Sequence, residues 1–232
     1  MKVSVNKYGI VLPSWAYSAE RANLIRQTML SLEKTEWVVR KPKLLLILKL
    51  TEHYPHSYIT DELLANFDAE AIADPPGVHG TEQTLAYGTQ YLFDQGVDYV
   101  TWMGDDALFH SHWHLHLRKL IEDKPDALGW SVYRSAYETY HTTLETQNGY
   151  VRVSTLCGHG MTVSRAEWEK WGINWRQGVW MSHGADTLDL YHATVREGER
   201  WTTAVSYVEH TGRSGMHCSP GIPEWAVDFQ RD

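Results

Sequence analysis

Three short apolar runs constrain this chain more than any other feature: Tyr8 to Pro13, Lys43 to Leu50 and Tyr99 to Met103. Each is strand length. The second is apolar throughout its middle, the pattern of a strand covered on both faces. Helix-like segments separate them, and that alternation points to α/β architecture. The chain has 232 residues, which suits one large domain, and its 43% hydrophobic content is enough for a core.

After the first strand, Ser18 reads as an N-cap. The helix it opens carries Arg21 where a capping box would have Glu, and apolar residues at Ala22, Ile25, Met29 and Leu32. A short strand over Ala69 to Ala73 ends at Asp74-Pro75-Pro76-Gly77, a chain-breaking loop. A helix over Thr81 to Gln95 stops at Gly96. The fourth strand, Tyr99 to Met103, runs directly into Gly104-Asp105-Asp106. Beyond it the pattern predicts a helix from about Ser111 to Glu122 and a strand over Ala127 to Tyr133. An exposed antiparallel strand is expected over Tyr150 to Leu156, and a short helix over Arg165 to Trp171, closed by Gly172. A helix over Asp186 to Arg196 and a last strand over Thr203 to Val208 complete the reading.

The net charge of -8, without a Lys/Arg run, argues against a general grip on nucleic acid phosphates. Cys157 and Cys218 have neither CxxC nor zinc spacing and read as free thiols. The first residues do not read as a signal peptide, and no apolar run reaches the ~18–20 residues that span a bilayer. A cytoplasmic location without membrane anchoring is the expectation. The 11 Trp and 13 Tyr are many. Such side chains line sugar and base sites, and they also fill cores.

Asp105 and Asp106 follow a strand end, where ligands bind in open α/β sheets. Carboxylates there suit Mg²⁺ or Mn²⁺, which also bind substrate phosphates and neutralise a departing diphosphate. The alternative is a solvated turn or a helix cap. Asp186, after Gly184-Ala185, is either an N-cap or a general base for an acceptor hydroxyl, with Asp189 as a fallback on the same face. His210 leaves the last strand as a candidate metal ligand, and Arg213 in the Gly-containing loop beyond it is within chain reach of a phosphate. The run His110, His112, His114, His116 reads as solvated helix surface, opposite a buried side of Phe109, Trp113, Leu117 and Leu120. Cys157-Gly158-His159-Gly160 allows close backbone approach to a ligand, or forms a bulge. Trp175, Trp180 and His183 form an aromatic stretch before Asp186 that either meets an acceptor or packs.

Taken in order, these segments resemble the GT-A glycosyltransferases, especially the family 2 group, from about Gly9 to Gly215. Ile10-Val11-Leu12-Pro13-Ser14-Trp15 is similar to the opening strand whose end cradles the nucleotide base. Arg21 and Thr28 to Leu32 resemble the next helix. His79-Gly80 and Tyr87-Gly88 stand where that group has paired Asn-x-Gly elements. Tyr99 to Ala107 resembles the strand and DxD-type motif, and Gly158 to Arg165 the glycine-containing strand before the acceptor helix. Gly184-Ala185-Asp186 falls where inverting members place an acidic pair, and His210 where many supply a metal-binding His.

The resemblance implies a Rossmann-like α/β/α sandwich with a mostly parallel central sheet over residues 1–232. A nucleotide-sugar half would cover about 1–107, an acceptor half about 108–215, and a tail 216–232. It implies a nucleotide-diphosphate sugar as donor, and Mn²⁺ or Mg²⁺ on Asp106 and His210. Pro13, Ser14, Trp15, Gly80, Asp105 and Arg213 would contact the donor, and Asp186 would be the base of an inverting transfer. Three departures stand out, the first being that the acidic pair is reduced to Asp186 alone. Gly104 replaces the first Asp of the motif, leaving Asp106 as the main metal ligand and Asp105 on the nucleotide side. Glu52, in Leu50-Thr51-Glu52, replaces the Asp expected near the base. The acceptor would be a saccharide, or a hydroxymethylated pyrimidine in DNA. A non-catalytic nucleotide-sugar-binding module on the same fold is the rival of another class. A nucleotidyltransferase lacks support, because no glycine-rich basic phosphate loop lies near the N-terminus.

Overall fold

The computed structural model describes residues 7–38, 42–49, 59–78, 80–135, 142–156, 159–176, 198–212, 226 and 228–229. Three parallel strands start the fold: β1 (Tyr8–Ser14), β2 (Lys43–Leu48) and β3 (Asp68–Ala73). Between β1 and β2 runs α1 (Ala19–Glu33), and a single turn, α2 (Asp61–Leu64), precedes β3. Ser18 caps α1 by accepting the Arg21 N–H at 3.2 Å, as its position in the sequence predicts. Next come α3 (Gly80–Asp94), β4 (Tyr99–Trp102), β5 (Ala107–Phe109), α4 (Trp113–Asp123) and β6 (Gly129–Ser131). The remaining elements are β7 (Thr143–Gln147), β8 (Tyr150–Val153), β9 (Met161–Ser164), α5 (Arg165–Arg176), β10 (Arg200–Thr203) and β11 (Val208–His210).

Nine strands form one sheet in the order β3-β2-β1-β4-β9-β6-β10-β8-β7, and β11 pairs with β5 beside it. The pairings send every strand of the large sheet in one direction except β8 and β9. Successive side chains of a strand alternate between faces, and the apolar strands therefore feed two cores. Ile10, Leu12, Leu44 and Leu46 meet Met29, Leu32, Trp113 and Leu117 of α1 and α4. Val11, Leu45 and Ile47 meet Leu85, Leu92, Phe93 and Trp168 of α3 and α5. The result is an α/β/α sandwich. Trp102, Trp113, Trp130 and Trp201 are among its largest fully buried side chains, which settles these four tryptophans as core.

Several local expectations are corrected. The strand expected over Thr203 to Val208 is two elements, β10 and β11, joined by residues 204–207. Gly172 does not close α5, which continues to Arg176; a helical glycine costs only about 1 kcal/mol and need not end a helix. The Tyr150 strand is antiparallel as expected, but it lies between β10 and β7, and Tyr150, Val151 and Val153 are buried. The exposed edge is β7 instead. His114 is not solvated surface. It is 1% exposed, accepts the Val38 N–H on Nδ1 at 3.3 Å, and meets the ring of Tyr8 edge-on at 4.6 Å. The helix begins at Trp113, so His110 and His112 precede it and only His114 and His116 share it. The expected helix over Asp186 to Arg196 lies outside the described residues.

Candidate metal and nucleotide site

The chain moves outward from β1 to β2 and β3, then returns through α3 to place β4 on the other side of β1. Such a reversal opens a crevice at the carboxyl ends of the two central strands. Three segments reach that edge. The β1 end supplies Ser14 and Trp15, with Arg21 following in the first turns of α1. The β4 end supplies Gly104, Asp105 and Asp106. Antiparallel β9 starts there, so His159 arrives just before it; the Gly160 N–H donates to the Trp102 carbonyl at 2.9 Å. A fourth segment, β11, carries His210, which pairs with Ala107.

Polar residues of α1 fix the β4–β5 segment. Thr28 Oγ1 and Ser31 Oγ accept the N–H groups of Ala107 and Phe109, each at 3.1 Å. Both the N–H and the hydroxyl of Thr211 donate to the Asp106 carbonyl, at 2.8 and 2.7 Å. The aspartates are thus held from both sides before any ligand is considered.

Asp106, His159 and His210 offer ligand atoms that all lie within 4.8 Å of one another. His210 Nε2 is 3.3 Å from Asp106 Oδ2, and the two imidazoles stack with centroids 4.2 Å apart. One carboxylate and two imidazoles make a donor set that first-row divalent cations accept. Two glycines shape the cradle. A β-carbon on Gly104 would stand 2.5 Å from His159 Nδ1, and one on Gly212 would stand 1.9 Å from Asp106 Oδ2. Either contact would force His159 or Asp106 to shift, so glycine at both positions lets the cluster close as it stands. The donor set and the cradle together fit a divalent metal.

Arg21 lies across both carboxylates. Its Nη1 donates to Asp106 Oδ2 at 2.6 Å, and its Nη2 to Asp105 Oδ1. Asp105 Oδ2 also accepts the Trp15 N–H at 3.1 Å, which ties the loop between β1 and α1 to the acidic pair. Burial pushes the Asp105 carboxyl up, aided by the neighbouring Asp106 charge and opposed by Arg21. Burial acts on Asp106 in the same sense, but the hydrogen bond from His210 and the charges of His159, His210 and Arg21 hold it well below the usual carboxylate range. Asp106 is the carboxylate of the pair held more firmly in its ionised form. Beside it, the Trp15 ring has the Lys49 ammonium 4.4 Å from its centroid and Tyr17 edge-on at 5.0 Å.

The structure brings Trp15, Asp105, Asp106 and His210 of the expected set together. Pro13 and Ser14 end β1 at the same edge, with Ser14 buried. Gly80 opens α3 with a φ of 78°, a left-handed conformation suited to glycine. Asp186, Glu52 and Arg213 lie outside the described residues, as do Asp189, Trp180 and His183. His159 joins the cluster without being singled out as a candidate ligand by the sequence. Its signal is a pair of features far apart in the chain: a histidine flanked by glycines, and a glycine at 104 where an acidic residue was expected.

No protein-family model matches this chain, and no curated protein sequence matches it. Solved structures do. TarS of S. aureus, as its 1–349 fragment in complex with UDP-GlcNAc, superposes with a TM-score of 0.64 at 11% identity, covering 94% of this chain and 62% of that one. A second S. aureus TarS structure gives 0.63 at 10%, covering 88% and 36%. GalNAc-T7 with UDP, GalNAc and Mn²⁺ gives 0.62 at 14%, covering 94% and 45%. The fold is therefore the GT-A fold that the sequence resemblance implies. This chain spans between 36% and 62% of the length of these neighbours. Among the described residues no helix is long and apolar enough to cross a membrane.

Proposed function

We propose that this chain is a divalent-metal-dependent glycosyltransferase that moves a sugar from a nucleoside-diphosphate sugar to an acceptor hydroxyl. The observation that carries the reading is the Asp106–His159–His210 cluster at the topological switch point, beside an aromatic Trp15 and a cationic Arg21. The two kinds of neighbour add support, since TarS has been crystallised with UDP-GlcNAc and GalNAc-T7 with UDP, GalNAc and Mn²⁺. UDP-N-acetylhexosamines are accordingly the first donors to test.

Asp106, His159 and His210 would hold the metal, which would supply positive charge against the diphosphate that leaves. Pro13, Ser14 and Trp15 line the base side, with Asp105 anchoring that loop through the Trp15 N–H. Gly80, Glu52 and Arg213 are assigned to the donor by the family resemblance alone. Asp186 would remove the proton from the acceptor hydroxyl, which then attacks the sugar carbon with inversion. Catalysis of this kind is mostly positioning and charge stabilisation. The acceptor is a saccharide or a hydroxymethylated pyrimidine in DNA. Transfer that falls steeply with salt selects DNA; transfer insensitive to salt selects the saccharide.

The test is a thermal-shift screen of nucleotide sugars with and without Mn²⁺, followed by a transfer assay on each hit. A stabilising donor that needs Mn²⁺ and is turned over supports the proposal. Binding without transfer or hydrolysis selects the non-catalytic module. Transfer that a chelator leaves untouched removes the metal from the proposal, and full activity of Asp186→Asn removes the base.

A further inference from the structure

Asp106 is claimed twice. Its Oδ2 accepts Arg21 Nη1 at 2.6 Å and faces His210 Nε2 at 3.3 Å, while Gly212 closes over the same oxygen. A cation on the Asp106–His159–His210 cluster and the Arg21 guanidinium therefore compete for one carboxylate. Arg21 is held at the site by more than Asp106. Its Nη2 is on Asp105, its side chain is only 12% exposed, and its own N–H is the one that Ser18 caps at the start of α1. Its Nε–H is buried and has no hydrogen-bond partner among the described residues, so the guanidinium retains an unused donor.

The charges decide what binds. With both imidazoles neutral, as metal ligation requires, two carboxylates and one guanidinium leave one net negative charge, a weak lure for a divalent cation that must also displace a hydrogen-bonded guanidinium. A diphosphate changes this. It offers Arg21 Nη1 a charged phosphate oxygen in place of Asp106 Oδ2, and the site with its cation then carries one net positive charge to receive it.

We propose that Arg21 is a switching counter-cation that makes divalent metal and diphosphate bind as a pair. Before the donor arrives, it neutralises Asp105 and Asp106 together. When the diphosphate arrives with its metal, Nη1 leaves Asp106 Oδ2 for a phosphate oxygen while Nη2 stays on Asp105. The inference rests on the metal-dependent reading of the site, and it identifies Arg21 as the residue that sets the order of binding.

The experiment measures Mn²⁺ binding through loss of the free-ion electron paramagnetic resonance signal, for the wild type, Asp106→Asn, Arg21→Gln and Arg21→Lys. Each is titrated alone and with UDP, after correction for the Mn²⁺–UDP complex formed without protein. In the wild type, UDP should tighten Mn²⁺ binding by about tenfold or more. Arg21→Gln removes the competing charge, so it should bind Mn²⁺ alone about tenfold more tightly than the wild type and lose most of the gain from UDP. Arg21→Lys keeps the charge but not the fork, so its affinity for Mn²⁺ alone should stay near the wild type.

Absence of UDP coupling in the wild type overturns the proposal without reference to any variant. So does an Arg21→Gln protein, folded by its melting curve, whose affinity for Mn²⁺ alone is unchanged or weaker. If the wild type with UDP binds no Mn²⁺, or Asp106→Asn binds it equally well, the metal-dependent reading falls and this inference falls with it. If Asp106 proves necessary and only the Arg21→Gln result is contrary, the reading stands and the counter-cation role alone is lost.

Discussion

The imidazole of His159 occupies the space that a side chain on Gly104 would need: a β-carbon there would lie 2.5 Å from Nδ1 and 3.0 Å from Asp106 Oδ1. The glycine that breaks the expected acidic motif is thus the counterpart of a histidine fifty-five positions later in the chain. An imidazole from another element fills the place where the family resemblance implies an acidic side chain. The cluster so formed offers one carboxylate oxygen and two imidazole nitrogens.

Gly104→Ala should displace His159 and lower Mn²⁺ affinity, with the melting temperature little changed because the position is at the site rather than in the core. Gly104→Asp, which restores the more usual motif, should be no better. Its β-carbon meets the same ring, and it places a third carboxylate beside Asp105 and Asp106. Isothermal titration with Mn²⁺ checks both; an Asp variant that binds as well as the wild type would show that His159 is not held there.

His159→Ala should reduce Mn²⁺ affinity by at least tenfold, since losing even an outer partner of a metal ligand costs about 10–100-fold. Imidazole nitrogens favour later first-row ions over Mg²⁺. At equal concentration Mn²⁺ and Co²⁺ should therefore raise the melting temperature more than Mg²⁺ does, and His159→Ala should narrow that difference.

Ser18→Ala removes the cap that accepts the Arg21 N–H. Helix N-caps contribute about 1 kcal/mol, so urea unfolding should show a loss of that size. Because the capped residue is Arg21 itself, the same variant should also weaken UDP binding in the presence of Mn²⁺. A stability loss with unchanged UDP affinity would limit Ser18 to a structural role.

His114 links stability to pH. Burial, with Arg118 nearby, lowers its pKa from 6.5 to about 3. Between those values the unfolded chain binds a proton that the folded chain refuses, so stability rises with pH across the window. It is fully present above pH 6.5 and declines as pH falls towards 3. From pH 6.5 to 5 the loss should be about 2 kcal/mol. His114→Gln, whose amide oxygen can still accept the Val38 N–H, should show a flatter dependence of the urea midpoint on pH. An identical slope in both proteins would remove His114 as its source.

Much of this protein was legible in its sequence, for a local reason. Apolar runs at Ile10–Leu12, Leu44–Leu48 and Tyr99–Trp102 must be strands buried on two faces, and Ser18 must cap the helix it precedes, because periodicity and capping act between near neighbours. Asp105 and Asp106 were readable as a candidate site because they follow a strand end directly. What only the tertiary structure decided depends on contacts between distant segments. The burial of His114 required the Tyr8 and Trp37 rings to close over it. The bridge from Arg21 to both aspartates required α1 to pack against β5. His159 joined Asp106 only because β9 enters the sheet antiparallel to β4, which brings its first residues to the edge where β4 ends. Gly104 reads in sequence as a missing ligand; in three dimensions it is the gap that admits another.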